Sequence, residues 1–361
     1  MRRLLLGLLG LLGAVLGLRR RRVETTWSDA VVADDGTPLH VEVDEGGTGL
    51  TVVFSHGFTA QLGEFQLQRE ALQGIARLVF YDQRGHGRSG RGHWRHTTFD
   101  QLGRDLQTVL DAKATTGPVV LLGHSMGGMT LMAWARLHPE QVGSRVVGAF
   151  LLATSADDVV QGPLGAAVRL LRRLHLLPLY LTVLRLVAPL IERLRKPGTK
   201  AGRAFIQRQL FGTEDADDAE LVTRVQAMLE ATPFTTSARF YPSFLAHDER
   251  EGLAVLARIP TTVLCGTADR LTPDSHSRSM AEVLGSSTEL VLVPGAGHSV
   301  NITRPQLVND AVLRLLARAT VAVDNSTRAS LALARLPRPE HDDGAVAPPL
   351  RAVRRRPGGP S

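Results

Sequence analysis

Ser125 stands at the centre of Gly123–His124–Ser125–Met126–Gly127, between the apolar run Pro118–Leu122 and a segment, Met129–Leu137, with the apolar share of a helix. A serine on a sharp strand-to-helix turn holds its hydroxyl clear of both elements, and the crowding there demands residues with almost no side chain two places to either side. Gly123 and Gly127 meet that demand. The spacing predicts a nucleophilic hydroxyl. The Met126 amide opens the following helix, whose unpaired donors and positive dipole end favour an anion beside Ser125.

A serine nucleophile needs a base, and the base needs a group that orients it. The run Thr261–Asp269 reads as a strand ending in a carboxylate, followed by the turn Thr272–Pro273–Asp274; Glu289–Val293 is a further strand, and Pro294–Gly295–Ala296–Gly297–His298 is the loop beyond it. Loops past the carboxyl ends of strands in an open parallel sheet converge in one crevice. Ser125, Asp269 and His298 can therefore form a triad although 144 residues separate the first two and 29 the last two. The strand Leu50–Phe54 runs into Ser55–His56–Gly57–Phe58, where Gly57 lets backbone approach a ligand. The amides of Phe58 and Met126 are the candidate oxyanion hole, one donor of this kind contributing roughly 3–4 kcal/mol to a transition state.

Together with the loop Asp82–Gln83–Arg84–Gly85–His86–Gly87–Arg88–Ser89, these motifs resemble the α/β-hydrolase fold superfamily of lipases, esterases and related enzymes, over Thr25 to Ala319. The resemblance implies an α/β architecture: a mostly parallel eight-stranded sheet flanked by helices, with a helical cap inserted. It also implies that Asp269 orients His298 and that no cofactor takes part. The expected reaction is hydrolysis of a carboxylic ester with an apolar acyl chain or lipid-like body, through an acyl-enzyme. Carbon–carbon bond hydrolases and cofactor-free perhydrolases of haloperoxidase type use nearly the same groups, and a ligand-binding receptor can retain the fold. Epoxide hydrolases and haloalkane dehalogenases carry aspartate where Ser125 stands, which argues against those two reactions.

Other residues compete for these roles. His56 is a second candidate base, but its place before a tight turn assigns it to bracing that loop. Asp157 and Asp158, after the strand Val146–Leu152, are alternative positions for the triad acid. Asp82 and Arg84 are expected to stabilise turns, and His138, His175, His247 and His276 to fill surface or core positions. No His/Cys/Asp/Glu spacing matches zinc, and Gly85–His86–Gly87 is not a phosphate-binding loop.

With 361 residues and 43% hydrophobic content, the chain can bury a large core. Its net charge of +7 sits at the ends: residues 1–22 carry +6 and residues 320–361 carry +3, leaving −2 on the body. A near-neutral body argues against nucleic acid as a partner. Leu4–Leu18 is an apolar stretch of fifteen residues between Arg2–Arg3 and Arg19–Arg22. As a helix it would be about 22 Å long, short of the roughly 30 Å hydrocarbon core. The four following arginines disfavour a cleaved export signal, so residues 1–22 are expected to associate with a membrane and leave the catalytic body in the cytoplasm, export being the alternative. The core is assigned to 23–156 and 246–319, and a cap of short helices, divided by Pro178, Pro189 and Pro197, to 157–245. This cap is leucine- and arginine-rich, so it either packs on the body or meets lipid. A last helix is expected over Pro305–Ala319, followed by a disordered Pro/Arg-rich tail, 320–361. The single cysteine, Cys265, forms no internal disulfide, and oligomeric state is not encoded in any visible motif.

Overall fold

The computed structural model describes residues 30–334, except 48, 158, 160, 161 and 213–217. The expected N-terminal anchor, residues 1–22, lies outside the described residues, as do Asp158 and the chain beyond Ala334. Nine strands are described: β1 (Val31–Val32), β2 (Pro38–Leu39), β3 (Val41–Asp44), β4 (Thr51–Ser55), β5 (Arg77–Tyr81), β6 (Val119–His124), β7 (Val146–Leu152), β8 (Thr261–Gly266) and β9 (Thr288–Val293). The main sheet runs β3-β5-β4-β6-β7-β8-β9, with every neighbouring pair parallel except β3 and β5.

This sheet has seven strands, one fewer than expected. The difference lies at His40, where the edge of the sheet breaks. The Asp82 amide still donates to the His40 carbonyl at 2.9 Å, in register with β3 and β5, but the His40 amide donates to Ser89 Oγ at 2.8 Å and that hydroxyl donates to the Asp82 carbonyl, so a side chain replaces one rung of the ladder. Residues before the break pair instead in the separate hairpin β1-β2.

Central strands β4, β6, β7 and β8 are buried along their whole length, because helices cover both faces. Alternation divides their side chains between two cores. Val119 and Leu121 of β6 join a cluster with Leu106, Met132 and Trp134, while Val120 and Leu122 join one with Phe65, Val312 and Leu315. The first core is closed by α2 (Phe99–Lys113) and α3 (Met126–Leu137), and the second by α1 (Gln66–Leu72) and the last helix, which begins at Pro305. Each fully buried aliphatic side chain contributes roughly 1.5–3 kcal/mol, so both layers hold the central strands firmly.

Between β7 and β8 lie α4 (Gly162–Arg173), α5 (Leu177–Leu194), α6 (Lys200–Gln209), α7 (Ala219–Glu230) and α8 (Phe234–Leu245), then α9 (Arg250–Leu256), which packs on α3. Two expectations are corrected here. Pro189 does not divide the insertion: α5 runs through it, at an exposed position where water can take the carbonyl that loses its donor. Pro178 lies in the first turn of α5 and Pro197 follows its end, both places that tolerate proline. The short α10 (Asp274–Leu284) and α11 (Val300–Thr303) follow β8 and β9, and α12 (Pro305–Ala334) extends fifteen residues past the expected end at Ala319. No proline or glycine occurs from Gln306 to Leu336 to stop it.

Candidate active site

The chain leaves β4 to form β5 on one side, then returns to place β6 on the other. This reversal opens a crevice at the carboxyl ends of β4 and β6, the usual ligand position in such sheets. Ser55 ends β4 beside Gly123 of β6, so the loop carrying Phe58 and the turn carrying Ser125 face each other across it.

Ser125 has φ 51° and ψ −116°, a backbone conformation that costs a non-glycine residue about 1–3 kcal/mol. Surrounding bonds hold it there. Its amide donates to the Leu152 carbonyl at 2.9 Å, and its carbonyl accepts from Thr154 Oγ1 at 2.7 Å and from the Gly128 amide at 2.9 Å. The flanking glycines are required by space: a Cβ on Gly127 would lie 1.9 Å from the Ser55 carbonyl oxygen, and one on Gly123 would lie 2.5 Å from the Gly127 backbone.

Beyond β8, Asp269 is buried and accepts four hydrogen bonds. Leu271 N and Thr272 N reach Oδ1 at 2.8 and 2.9 Å, while Thr272 Oγ1 and His298 Nδ1 each reach Oδ2 at 2.8 Å. Burial alone would raise the carboxyl pKa, but the charge of His298 and these donors leave it below its ordinary value. A carboxylate oxygen only accepts, so His298 carries its proton on Nδ1 and leaves Nε2 for another partner. Among the described residues Ser125 Oγ makes no hydrogen bond to His298; such bonds often tighten only when substrate arrives.

The amides of Phe58 and Met126 donate to no other protein group among the described residues, whereas the loop around Phe58 is tightly braced. His56 Nε2 accepts from the Gln83 amide at 2.9 Å, so its Nδ1 is the donor to the Gly57 carbonyl at 2.7 Å. Both ring nitrogens are thereby occupied, and His56 is a brace. Asp82 accepts from the Leu62 and Arg88 amides, and Arg84 is fully buried between Asp105 and Asp35, so both residues hold the turn after β5. Asp157 forms a backbone bridge with Asp248 and lies 3.8 Å from Arg250, while the carboxylate on His298 is that of Asp269.

Reading the sequence missed Glu64. This residue is buried, accepts from the Gly57 amide at 2.8 Å and lies 2.8 Å from His124 Nδ1. The imidazole approach is off-axis, a charge contact more than a hydrogen bond. On its other side, His124 Nε2 donates to the His298 carbonyl at 3.0 Å. One buried pair therefore ties together the Phe58 loop, the residue before Ser125 and the His298 loop. Burial opposes both charges, yet the Glu64 pKa is lowered, chiefly by the His124 charge, and the His124 pKa is raised, chiefly by the Glu64 charge. No local signal pointed to Glu64, because its partner is sixty residues away. Thr272, three residues after Asp269, does carry one: a carboxylate capping the amide and hydroxyl of a threonine three places on.

Glu64→Gln is expected to leave a buried imidazole without its counter-charge and to lower stability by roughly 3–5 kcal/mol. The Glu64 share of stability is present above the ordinary glutamate pKa and is lost as pH falls through its lowered folded value. The His124 share is complete below the ordinary histidine pKa and is lost as pH rises through its raised folded value. Melting temperatures across pH should thus show the largest gap between wild type and variant in the window between those two values, and a gap independent of pH would contradict a charged pair.

The alpha/beta hydrolase family model matches residues 52–311, and the chain belongs to that family. Over 280 residues it is 28% identical to the dihydrolipoyllysine-residue acetyltransferase component of an acetoin cleaving system from Pseudomonas putida, covering 76% of this chain and 65% of that protein. A monoacylglycerol lipase from Mycolicibacterium smegmatis is 26% identical over 274 residues, covering 72% of this chain and 85% of the lipase. Among solved structures, a thermophilic esterase from Thermogutta terrifontis matches with a TM-score of 0.63 at 25% identity, covering 80% of this chain and 98% of the esterase.

Proposed function

We propose that this chain is a serine hydrolase of carboxylic esters, with Ser125, His298 and Asp269 as its triad and the Phe58 and Met126 amides as its oxyanion hole. The observation that best supports the reading is a strained serine whose neighbour His124 bonds the carbonyl of His298, an imidazole oriented by a buried carboxylate, together with two amides that donate to no protein group among the described residues. Ser125 Oγ attacks the ester carbonyl as His298 Nε2 takes its proton. The two amides receive the oxyanion, and His298 then protonates the departing alcohol. Water, deprotonated by the same imidazole, releases the acid from the acyl-enzyme. The lipase and esterase matches support this class of reaction.

The insertion between β7 and β8 is read as a cap over this crevice, because it touches both walls. Thr232 Oγ1 donates to the Thr59 carbonyl at 2.9 Å, and the rings of Phe240 and Phe244 lie 6.1 and 4.8 Å from that of Phe58. At the opposite wall, the Leu210 carbonyl accepts from the Ser299 amide at 3.0 Å. Aromatic rings beside the proposed oxyanion loop favour an apolar acyl group over a charged one. A fluorophosphonate probe should label Ser125, as read by peptide mass spectrometry, and kcat/KM on p-nitrophenyl esters should rise from acetyl towards longer acyl chains. Labelling elsewhere, or turnover confined to dienone or halide substrates tested alongside, would overturn the reading.

A further inference from the structure

The insertion turns an apolar face away from the protein. Along α5, Leu179, Val183, Leu186, Leu190 and Leu194 recur at spacings of four, three, four and four, which is one stripe of a helix. The stripe is exposed, Leu186 by 74% and Leu194 by 68%. The opposite side of α5 meets the protein: Ala188 is buried, Arg185 stacks 4.8 Å from the centre of the Trp94 ring, and Tyr180 meets Tyr241 of α8 at 6.4 Å. A soluble protein rarely leaves so continuous an apolar surface in water without a partner for it.

Charge identifies the partner. From Gly162 to Gly212 the chain has ten lysines and arginines and a single acidic residue, Glu192. That carboxylate is engaged by the Phe234 amide and Arg195. Exposed cations lie on the same pair of helices as the leucine stripe, Arg169 and Arg173 on α4 and Arg193 and Lys196 at the end of α5. A second copy of the chain would oppose this positive surface with an identical one, whereas anionic headgroups complement it and acyl chains receive the leucines. No single helix among the described residues is long and apolar enough to cross a bilayer, and α4 meets α5 at a bend of 119°. We infer that the α4–α5 hairpin docks on the surface of an anionic lipid bilayer, lying in the interface without spanning it. Because α5 rests on α8, and α8 bears the rings against Phe58, docking brings the lipid surface to the side of the insertion that adjoins the proposed oxyanion loop.

The test is hydrogen–deuterium exchange of the full chain with phosphatidylcholine vesicles, with and without phosphatidylglycerol. This readout does not depend on hydrolysis, so its failure is distinct from failure of the proposed reaction. Exchange across 177–194 should slow only with the anionic vesicles and recover in high salt. The L186E/L190E variant should lose the slowing, weaken vesicle partitioning roughly ten- to a hundred-fold, and keep the wild-type melting temperature, since both leucines are exposed. Three results would overturn the inference: unchanged exchange along α5, equal slowing in L186E/L190E, or slowing that grows with protein concentration in lipid-free solution, which would identify a second copy as the occupant.

Discussion

Ser125→Ala is expected to lower kcat on the best ester by roughly four to six orders of magnitude and to abolish fluorophosphonate labelling, with little change in melting temperature. The catalytic loss is large because no other hydroxyl is held on the elbow beside the unpaired Met126 amide. What remains is the contribution of binding and of the two amides, which does not need the nucleophile. Stability should barely move, for two reasons. Ser125 Oγ makes no hydrogen bond to His298 in the structure, and alanine meets the φ of 51° with the same Cβ that serine has. Ser125→Gly supplies the contrast: equally inactive, yet relieved of strain, it should melt no lower than the alanine variant, and an alanine variant that retains wild-type turnover would remove Ser125 from the mechanism.

Asp269→Asn is expected to cost about 10⁴-fold in kcat, nearly as much as losing the base, although it changes one atom. The reason is the inventory of donors around the carboxylate. Two backbone amides at Oδ1 require an acceptor and will keep the amide oxygen of asparagine there, which places its NH2 where Oδ2 faced Thr272 and His298. Thr272 can reverse its hydroxyl. His298 Nδ1 must then accept, so the proton moves to Nε2 and the imidazole can no longer take one from Ser125. The NMR signal of the His298 ring protons should report this change of tautomer directly. A variant with Nδ1 still protonated and wild-type activity would show that the orientation of His298 does not depend on the Asp269 charge.

Most of the architecture was legible because its signals are local. Buried parallel strands are apolar runs of five to seven residues, as in Val146–Leu152, and the elbow needs Gly123 and Gly127 within two residues of the serine. Errors arose where a local rule was decided by distant atoms. The eighth strand failed to join the sheet where the Ser89 hydroxyl takes the His40 amide out of the ladder, and Pro189 did not stop α5 because its position is exposed. The last helix outran its expected end through a stretch whose composition simply lacked a stop signal. Glu64 was invisible for another reason: a lone glutamate in a polar stretch acquires meaning only when folding brings His124 and Gly57 against it.

By itself, then, the order of residues determined the family and the turn that strains Ser125, and it singled out Asp269 and His298 as the proposed acid and base, since each depends on short-range sterics or on strand order along the chain. Tertiary structure alone decided the proton positions on His56 and His298, the buried Glu64–His124 pair and the outward direction of the α5 leucines. A helix records its apolar stripe in its sequence. Which way that stripe faces is set by what packs on the other side, and here Ala188 is buried while Arg185 meets Trp94 and Tyr180 meets Tyr241, which leaves the leucines outside.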